Sequence, residues 1–287
     1  MNVTYMNGAG NDFMVLDARG KNLNFEALAR KLCPMRNADG FMAVDVPTVP
    51  EADFRLHFYN FDGSRAEMCG NGARCICRYA HDLGIAGDTM TVQTDAGLVP
   101  GWRVADDRYR VRLNIPSELD LHRKGEIAYV ELGKPGVPHA VAEYKGDLWA
   151  DAEKLREQMR ALRFDKAFPK GANVNFYQWL GENEIRMLTF ERGVEDFTLA
   201  CGTGCGSTAA ALYASGKLPG GKLLAHNRGG DLTVSVSGKP EITSVLLEGP
   251  AQVNEILELP DVGEDQYGRG RKSVKKVVKY MRGFEKE

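Results

Sequence analysis

The sequence predicts an α+β protein built from two similar halves, and three observations carry that prediction. First, Cys-Gly-x-Gly occurs twice, at Cys69-Gly70-Asn71-Gly72 and Cys201-Gly202-Thr203-Gly204, 132 residues apart. Each copy runs into small and apolar residues and stops at a glycine 15 positions on, Gly84 and Gly216. Second, each copy is followed by an alternating, strand-like segment ending at glycine, Thr91 to Gly97 and Leu232 to Gly238. Third, 287 residues suit roughly two domains of ~150 residues. Together these describe an internal duplication.

The elements follow in order. Tyr5-Met6, a glycine turn through Asn7 to Asp12, and Phe13 to Leu16 read as strand, turn, strand. Asn24 can cap a helix carrying Phe25, Leu28, Ala29 and Leu32, which Pro34 ends. Phe41 to Val44 and the alternating run from Asp53 to Phe61 are strands. Ala73, Ile76, Ala80 and Leu83 make a helical stripe after the first cysteine motif. Strands are expected at 89–94, 98–104 and 109–115, with a polar stretch from Pro116. Glu126 to Leu132 is a strand, followed by a Pro- and Gly-rich turn from Gly133 to His139 and a strand from Ala140. Residues 151–162 are helical, and Val174 to Leu180 with Glu184 to Phe190 form a hairpin. The expected domains are 1–115, joined by a returning strand near 250–258, then 116–249, then a linker and basic extension over 259–287. Residues 269–282 hold seven basic residues and no acid, with Val274, Val277, Val278 and Met281 at helical spacing. A surface helix docking its valines fits this pattern, as does a surface for an anionic partner.

Apolar and charged fractions are those of an ordinary globular protein, and a net charge of −2 selects no partner. The N-terminus has neither a basic nor an apolar leader segment, and no apolar run is long enough to span a membrane. A cytoplasmic protein with six reduced cysteines is expected.

A cysteine heading a helix sits where unpaired N–H groups and the helix dipole favour a thiolate, which lowers its pKa toward neutrality. The glycines let backbone donors converge on an anion such as a carboxylate. Two such ends facing each other could hold one carboxylate with a thiol on either side of the adjoining carbon. Inverting an amino-acid stereocentre needs this pairing, a base on one face and an acid on the other. Zinc binding is an alternative, although the spacings among Cys69, Cys75, Cys77, Cys201 and Cys205 differ from structural zinc pairs. A binding protein whose two cysteines oxidise to each other is another. Cys33, Cys75, Cys77 and Cys205 read as small buried residues.

Seven segments taken in order resemble the diaminopimelate epimerase family. They are Gly8-x-Gly10-Asn11-Asp12-Phe13, Asn60-x-Asp62-Gly63-Ser64, Cys69 to Arg74, Pro138-His139, Asn173 to Phe176, Glu191-Arg192-Gly193 and Ala200 to Gly204. The likeness runs from about residue 3 to 258. It implies two pseudo-symmetric domains, each a β-barrel-like sheet around a central helix, with the active site in the interdomain cleft. It implies cofactor-independent interconversion of LL- and meso-diaminopimelate, in lysine and cell-wall precursor synthesis, by a homodimer that binds an amino-acid substrate and neither nucleic acid nor membrane. By position, Cys69 and Cys201 would be the acid/base pair, and the N–H groups of Gly70, Asn71, Gly202 and Thr203 would hold the reacting carboxylate. His139 and Glu191 would tune the thiols and bind the reacting end. Asn60, Asn173 and Arg192 would recognise the distal end, and Asn11 would line the cleft. Taken singly, Asn11 and Asn60 also fit turn formers, His139 a hydrogen-bonded loop residue, and Arg192 a partner for a surface acid. Where the family often has Asn before Pro-His, this chain has Val137, which has no donor for a carboxylate. A family relative acting on another amino acid is therefore the alternative.

Overall fold

The computed structural model describes residues 1–66, 69–260 and 277–278. The first half contains β1 (Asn2–Gly8), β2 (Asn11–Asp17), α1 (Phe25–Leu32), β3 (Gly40–Asp45), β4 (Phe54–Asn60), α2 (Gly70–Asp82), β5 (Thr89–Thr94), β6 (Gly97–Ala105) and β7 (Arg108–Leu113). The second contains β8 (Pro116–Lys124), β9 (Ile127–Leu132), β10 (Val137–Glu143), α3 (Ala152–Arg163), β11 (Asn173–Gly181), β12 (Glu184–Glu191), β13 (Asp196–Thr198), α4 (Gly202–Ala214), β14 (Lys222–Asn227), β15 (Gly230–Ser237), β16 (Ser244–Pro250) and β17 (Gln252–Glu258).

Strand pairing repeats the duplication. β1 pairs antiparallel with β2, β2 runs parallel to β3, β3 is antiparallel to β4, and β4 is parallel to β5. β9, β10, β11, β12 and β14 repeat that sequence of directions in the second half. β5–β6–β7 and β14–β15–β16 then continue antiparallel. A parallel step needs a crossover, and a helix occupies each one: α1 and α2 in the first half, α3 and α4 in the second. β17 pairs with β1 as β8 pairs with β9, and β7 with β16 joins the two sheets.

Each sheet curls round one helix, giving two barrel-like domains of α+β class. α2 buries Ala73, Cys75, Ile76, Cys77 and Ala80 against its strands, and α4 buries Cys205, Ala209, Ala210 and Leu212. α4 is apolar nearly all round, as a helix enclosed by a sheet must be. α1 and α3 lie outside, each over its own cluster: Leu28, Leu32 and Phe41 under α1, Leu155, Met159 and Phe176 under α3. Asn24 caps α1 by accepting from the Ala27 N–H at 3.0 Å. Cys33, Cys75, Cys77 and Cys205 are all buried, the small-residue role read from the sequence.

Three elements differ from the sequence expectation. The polar stretch after Pro116 is a strand, β8; it is an edge strand with much of its surface in solvent, and of its residues Leu119 and Leu121 pack on the core. Pro138 and His139 lie within β10 rather than in the preceding turn, because β10 pairs on both edges and its backbone groups are used up in the ladder. Val277–Val278, placed in the expected helix, are a two-residue strand against Leu257 and Ile256, on the edge that β17 does not use for β1. The rest of that expected helix and the linker before it lie outside the described residues. Among the described residues no helix is long and apolar enough to cross a membrane.

Candidate active site

The two cysteine-headed helices meet end to end. Cys69 is the N-cap of α2 and Cys201 the N-cap of α4, both with extended backbone angles (φ −104° and −123°). A Cβ on Gly202 would lie 3.8 Å from the Gly70 Cα and 3.3 Å from Asn71 Oδ1, so the first residues of both helices touch. The same atom would collide with Leu247 Cδ2 at 2.8 Å, as would a Cβ on Gly70. Leu247, on β16 beside the seam, therefore fills the space under both helix ends, and only glycine at 70 and 202 allows it to. Both positive helix ends thus point into one interdomain cleft, a ready anion site.

Cys69 is half-buried and Cys201 is 6 % exposed. Cys201 Sγ accepts from the Gly204 N–H at 3.3 Å and lies 3.5 Å from Thr203 Oγ1. Burial pushes the Cys69 thiol above its ordinary range, with the N–H groups of Gly72 and Asn71 opposing it. Burial pushes Cys201 well above its ordinary range, and the Glu191 carboxylate adds to the rise. The sequence led us to expect lowered values from the helix ends. Those donors do act in that direction, but desolvation by burial outweighs them. Glu191 ends β12, is half-buried, and repels negative charge on both thiols; its own pKa is raised, by burial first.

Polar networks brace each helix end. Asn71, 1 % exposed, donates to Asn11 Oδ1 at 2.7 Å, and Asn11 donates to Asp39 Oδ2 at 3.2 Å. Arg74 donates to Asn71 Oδ1 at 2.9 Å. On the other side, Asn175 donates to His139 Nδ1 at 3.0 Å and its Oδ1 accepts from Thr189 Oγ1 at 3.0 Å. A Cβ on Gly204 would stand 2.3 Å from Asn175 Oδ1, so this network lies directly against α4. His139 is fully buried; burial, then Arg192, pulls its pKa down to about 3, so the ring is neutral. With Nδ1 accepting, its proton sits on Nε2, which has no protein partner among the described residues.

Cys69, Cys201, Gly70, Asn71, Gly202, Thr203, Asn11 and Glu191 thus converge, and His139 reaches them through Asn175. The remaining three stand further out. Asn173 spends its Oδ1 on the Arg192 N–H at 2.7 Å, and Arg192 Nη1 donates to the Lys170 carbonyl at 3.1 Å. Asn60 is exposed and donates to Ser64 Oγ at 2.9 Å within its own turn. Val137 lines a cavity of about 330 Å³ with Thr203, Lys134, Asn114 and Asp95. A larger one, about 670 Å³, lies at the opposite end of α4 beside Ala211, Leu212 and Ser215. Sequence reasoning missed Leu247, which carries no signal beyond strand alternation. It gave Arg74 and Asn175 no role of their own.

A family model described as Diaminopimelate epimerase matches residues 3–114 and 133–253. A diaminopimelate epimerase of Aquifex aeolicus (strain VF5) is 36% identical over 264 residues, 85% of this chain and 92% of that protein. One of Paraburkholderia xenovorans (strain LB400) is 32% identical over 287 residues, 90% of this chain and 98% of that one. Among solved structures, a Bacillus anthracis phenazine biosynthesis protein of the PhzF family superimposes with TM-score 0.68 at 15% identity, covering 91% of this chain and 99% of its own. A probable proline racemase from Agrobacterium radiobacter K84 gives 0.65 at 18%, covering 92% and 94%. Both likenesses show the fold.

Proposed function

The chain belongs to the diaminopimelate epimerase family, and we propose that it interconverts LL- and meso-diaminopimelate with Cys69 and Cys201 as its two bases. The observation that carries this is the meeting of two cysteine-capped helix ends across a single cleft. The substrate's reacting carboxylate lies between those ends, accepting from the N–H groups of Gly70, Asn71, Gly202 and Thr203. One cysteine, as thiolate, removes the α-proton; the other, as thiol, delivers a proton to the opposite face. The first is left protonated and the second ionised, ready for the reverse direction. Negative charge that develops on the carboxylate meets preorganised backbone donors, which supports the reaction without pyridoxal phosphate. Glu191 pairs with the reacting ammonium and so relieves its repulsion of the thiolate. Neutral His139 offers its Nε2 proton as a donor toward the cleft.

Asn60, Asn173 and Arg192 bind the distal end, where a guanidinium fork suits a carboxylate. We further propose a cytoplasmic homodimer with domains at 1–115 plus 250–258 and at 116–249, and an extension over 259–287. The pairing of β17 with β1 supports the returning segment, and the pairing of β7 with β16 joins the two domains. Val137 beside Thr203 favours the second reading, the same inversion on a different amino acid.

The test is turnover of LL-diaminopimelate and of a panel of shorter L-amino acids, without added cofactor. Epimerisation of diaminopimelate, lost roughly 100- to 10,000-fold in C69A and in C201A, is the expected result. Turnover of a shorter amino acid alone would favour the second reading. Unchanged turnover in both variants would remove the thiols from the mechanism.

A further inference from the structure

Arg74 is fully buried, yet it makes no ion pair with a carboxylate among the described residues. Its hydrogen bonds go to neutral acceptors: the Gly70 carbonyl at 3.2 Å, Asn71 Oδ1 at 2.9 Å and the Pro250 carbonyl at 3.4 Å. Burying a charge without a counter-charge is costly, and a guanidinium does not escape by losing its proton. Burial does pull the Arg74 pKa down, but from so high a value that the group remains a cation.

The guanidinium stands behind the junction of the two helix ends. It grips α2 at Gly70 and Asn71 and reaches across to Pro250 at the end of β16. A Cβ on Gly249 would lie 3.1 Å from its Nε, so β16 packs directly on it. The groups it acts on are Cys75 and Cys69 on α2 and Cys205 on α4, while Arg108 of β7 opposes it. Asn71 Oδ1, which it holds, is the atom against Gly202 at the head of α4.

We propose that Arg74 is a positioning residue of the two-thiol site, whose permanent charge holds negative charge at Cys69 and whose grip on Asn71 fixes the two helix ends against each other. Its catalytic meaning rests on the two-base reading; its placement rests on the contacts with Asn71 and with Gly70, the residue that follows Cys69. It also makes the pair unequal. Backbone donors favour the thiolate at both cysteines and Glu191 opposes it at both; Arg74 adds a favourable charge at Cys69. With a cation behind its helix end, Cys69 is the first of the two thiols to ionise as pH rises.

The test is the pH midpoint of iodoacetamide alkylation at each cysteine of the intact protein, resolved by peptide mass spectrometry. Midpoints report ionisation; rates at one pH would mix in access. In the unmodified chain Cys69 should titrate at lower pH than Cys201; the reverse order, or coincidence, overturns the proposal without any variant. In R74Q the Cys69 midpoint should rise by about one pH unit, with Cys201 moving less. A folded R74Q with an unmoved Cys69 midpoint would equally sink it. In R74Q kcat at neutral pH should fall roughly tenfold with KM little changed, and recover at higher pH. A merely structural loss would not recover. If the midpoints behave as expected but no epimerisation is found, it is the function that fails and not the role of Arg74.

Discussion

At the scale of single residues, burial decides the protonation of this site. Both thiols and Glu191 are pushed toward their neutral forms, and His139 is held neutral by the same cause. Epimerisation that starts from a thiolate should therefore climb with pH through neutrality and decline only when both thiols ionise. His139 also links stability to pH. Its folded pKa, about 3, lies below the unfolded value of about 6.5, so between those limits the unfolded chain binds a proton that the folded chain refuses. Stability contributed by the neutral ring is complete above about pH 6.5 and is lost as pH falls toward 3. The loss from this residue alone is on the order of 4 kcal/mol by pH 3. Denaturant melts of the parent and of His139→Gln across pH 4 to 7 check this. The variant should show a shallower slope, and parallel curves would mean that the imidazole is not held neutral.

At the scale of elements, the site is made by two helix ends that glycine allows to touch. Gly202→Ala places a methyl 2.8 Å from Leu247 Cδ2 and 3.3 Å from Asn71 Oδ1. Leu247 can swing aside, so the stability cost should stay within about 1–3 kcal/mol. On the proposed function the helix ends cannot separate without misplacing the substrate carboxylate, and a shift approaching 1 Å costs roughly 100-fold in rate. Thermal melting and kcat measured together should show a near-normal fold with a collapsed rate; parent-like activity would show the contact to be incidental. Much of this was legible in the sequence. The duplicated Cys-Gly-x-Gly, its helical stripe and the strands around it lie where local pattern placed them, because each is long and periodic. β8 was missed because its apolar face is two leucines, Leu119 and Leu121, in an otherwise polar edge strand. Leu247 was missed because the partner that gives it meaning is a glycine 45 positions away in the chain. The raised thiol values were not legible either: a cap position can be read from sequence, but depth of burial belongs to the assembled cleft.

For the whole molecule, duplication is what brings two cysteine-headed helices together. The halves repeat strand for strand, and the β7–β16 ladder fixes one against the other, so the two equivalent helices arrive head to head. Arg108 and Arg110 on β7 both reach Glu248 on β16, at 3.4 and 2.8 Å, which locks that seam. A pseudo-symmetric pair of monoprotic bases also carries a signature that a single base would lack. The abstracted proton sits on one thiol with no route to the opposite face, while the proton delivered comes from a thiol already equilibrated with solvent. The decisive measurement is deuterium incorporation when LL-diaminopimelate is turned over in deuterium oxide and stopped at low conversion. Label should fill the α-position of the meso product while the recovered LL substrate stays unlabelled; label appearing in both at matching rates would mean one base serves both faces.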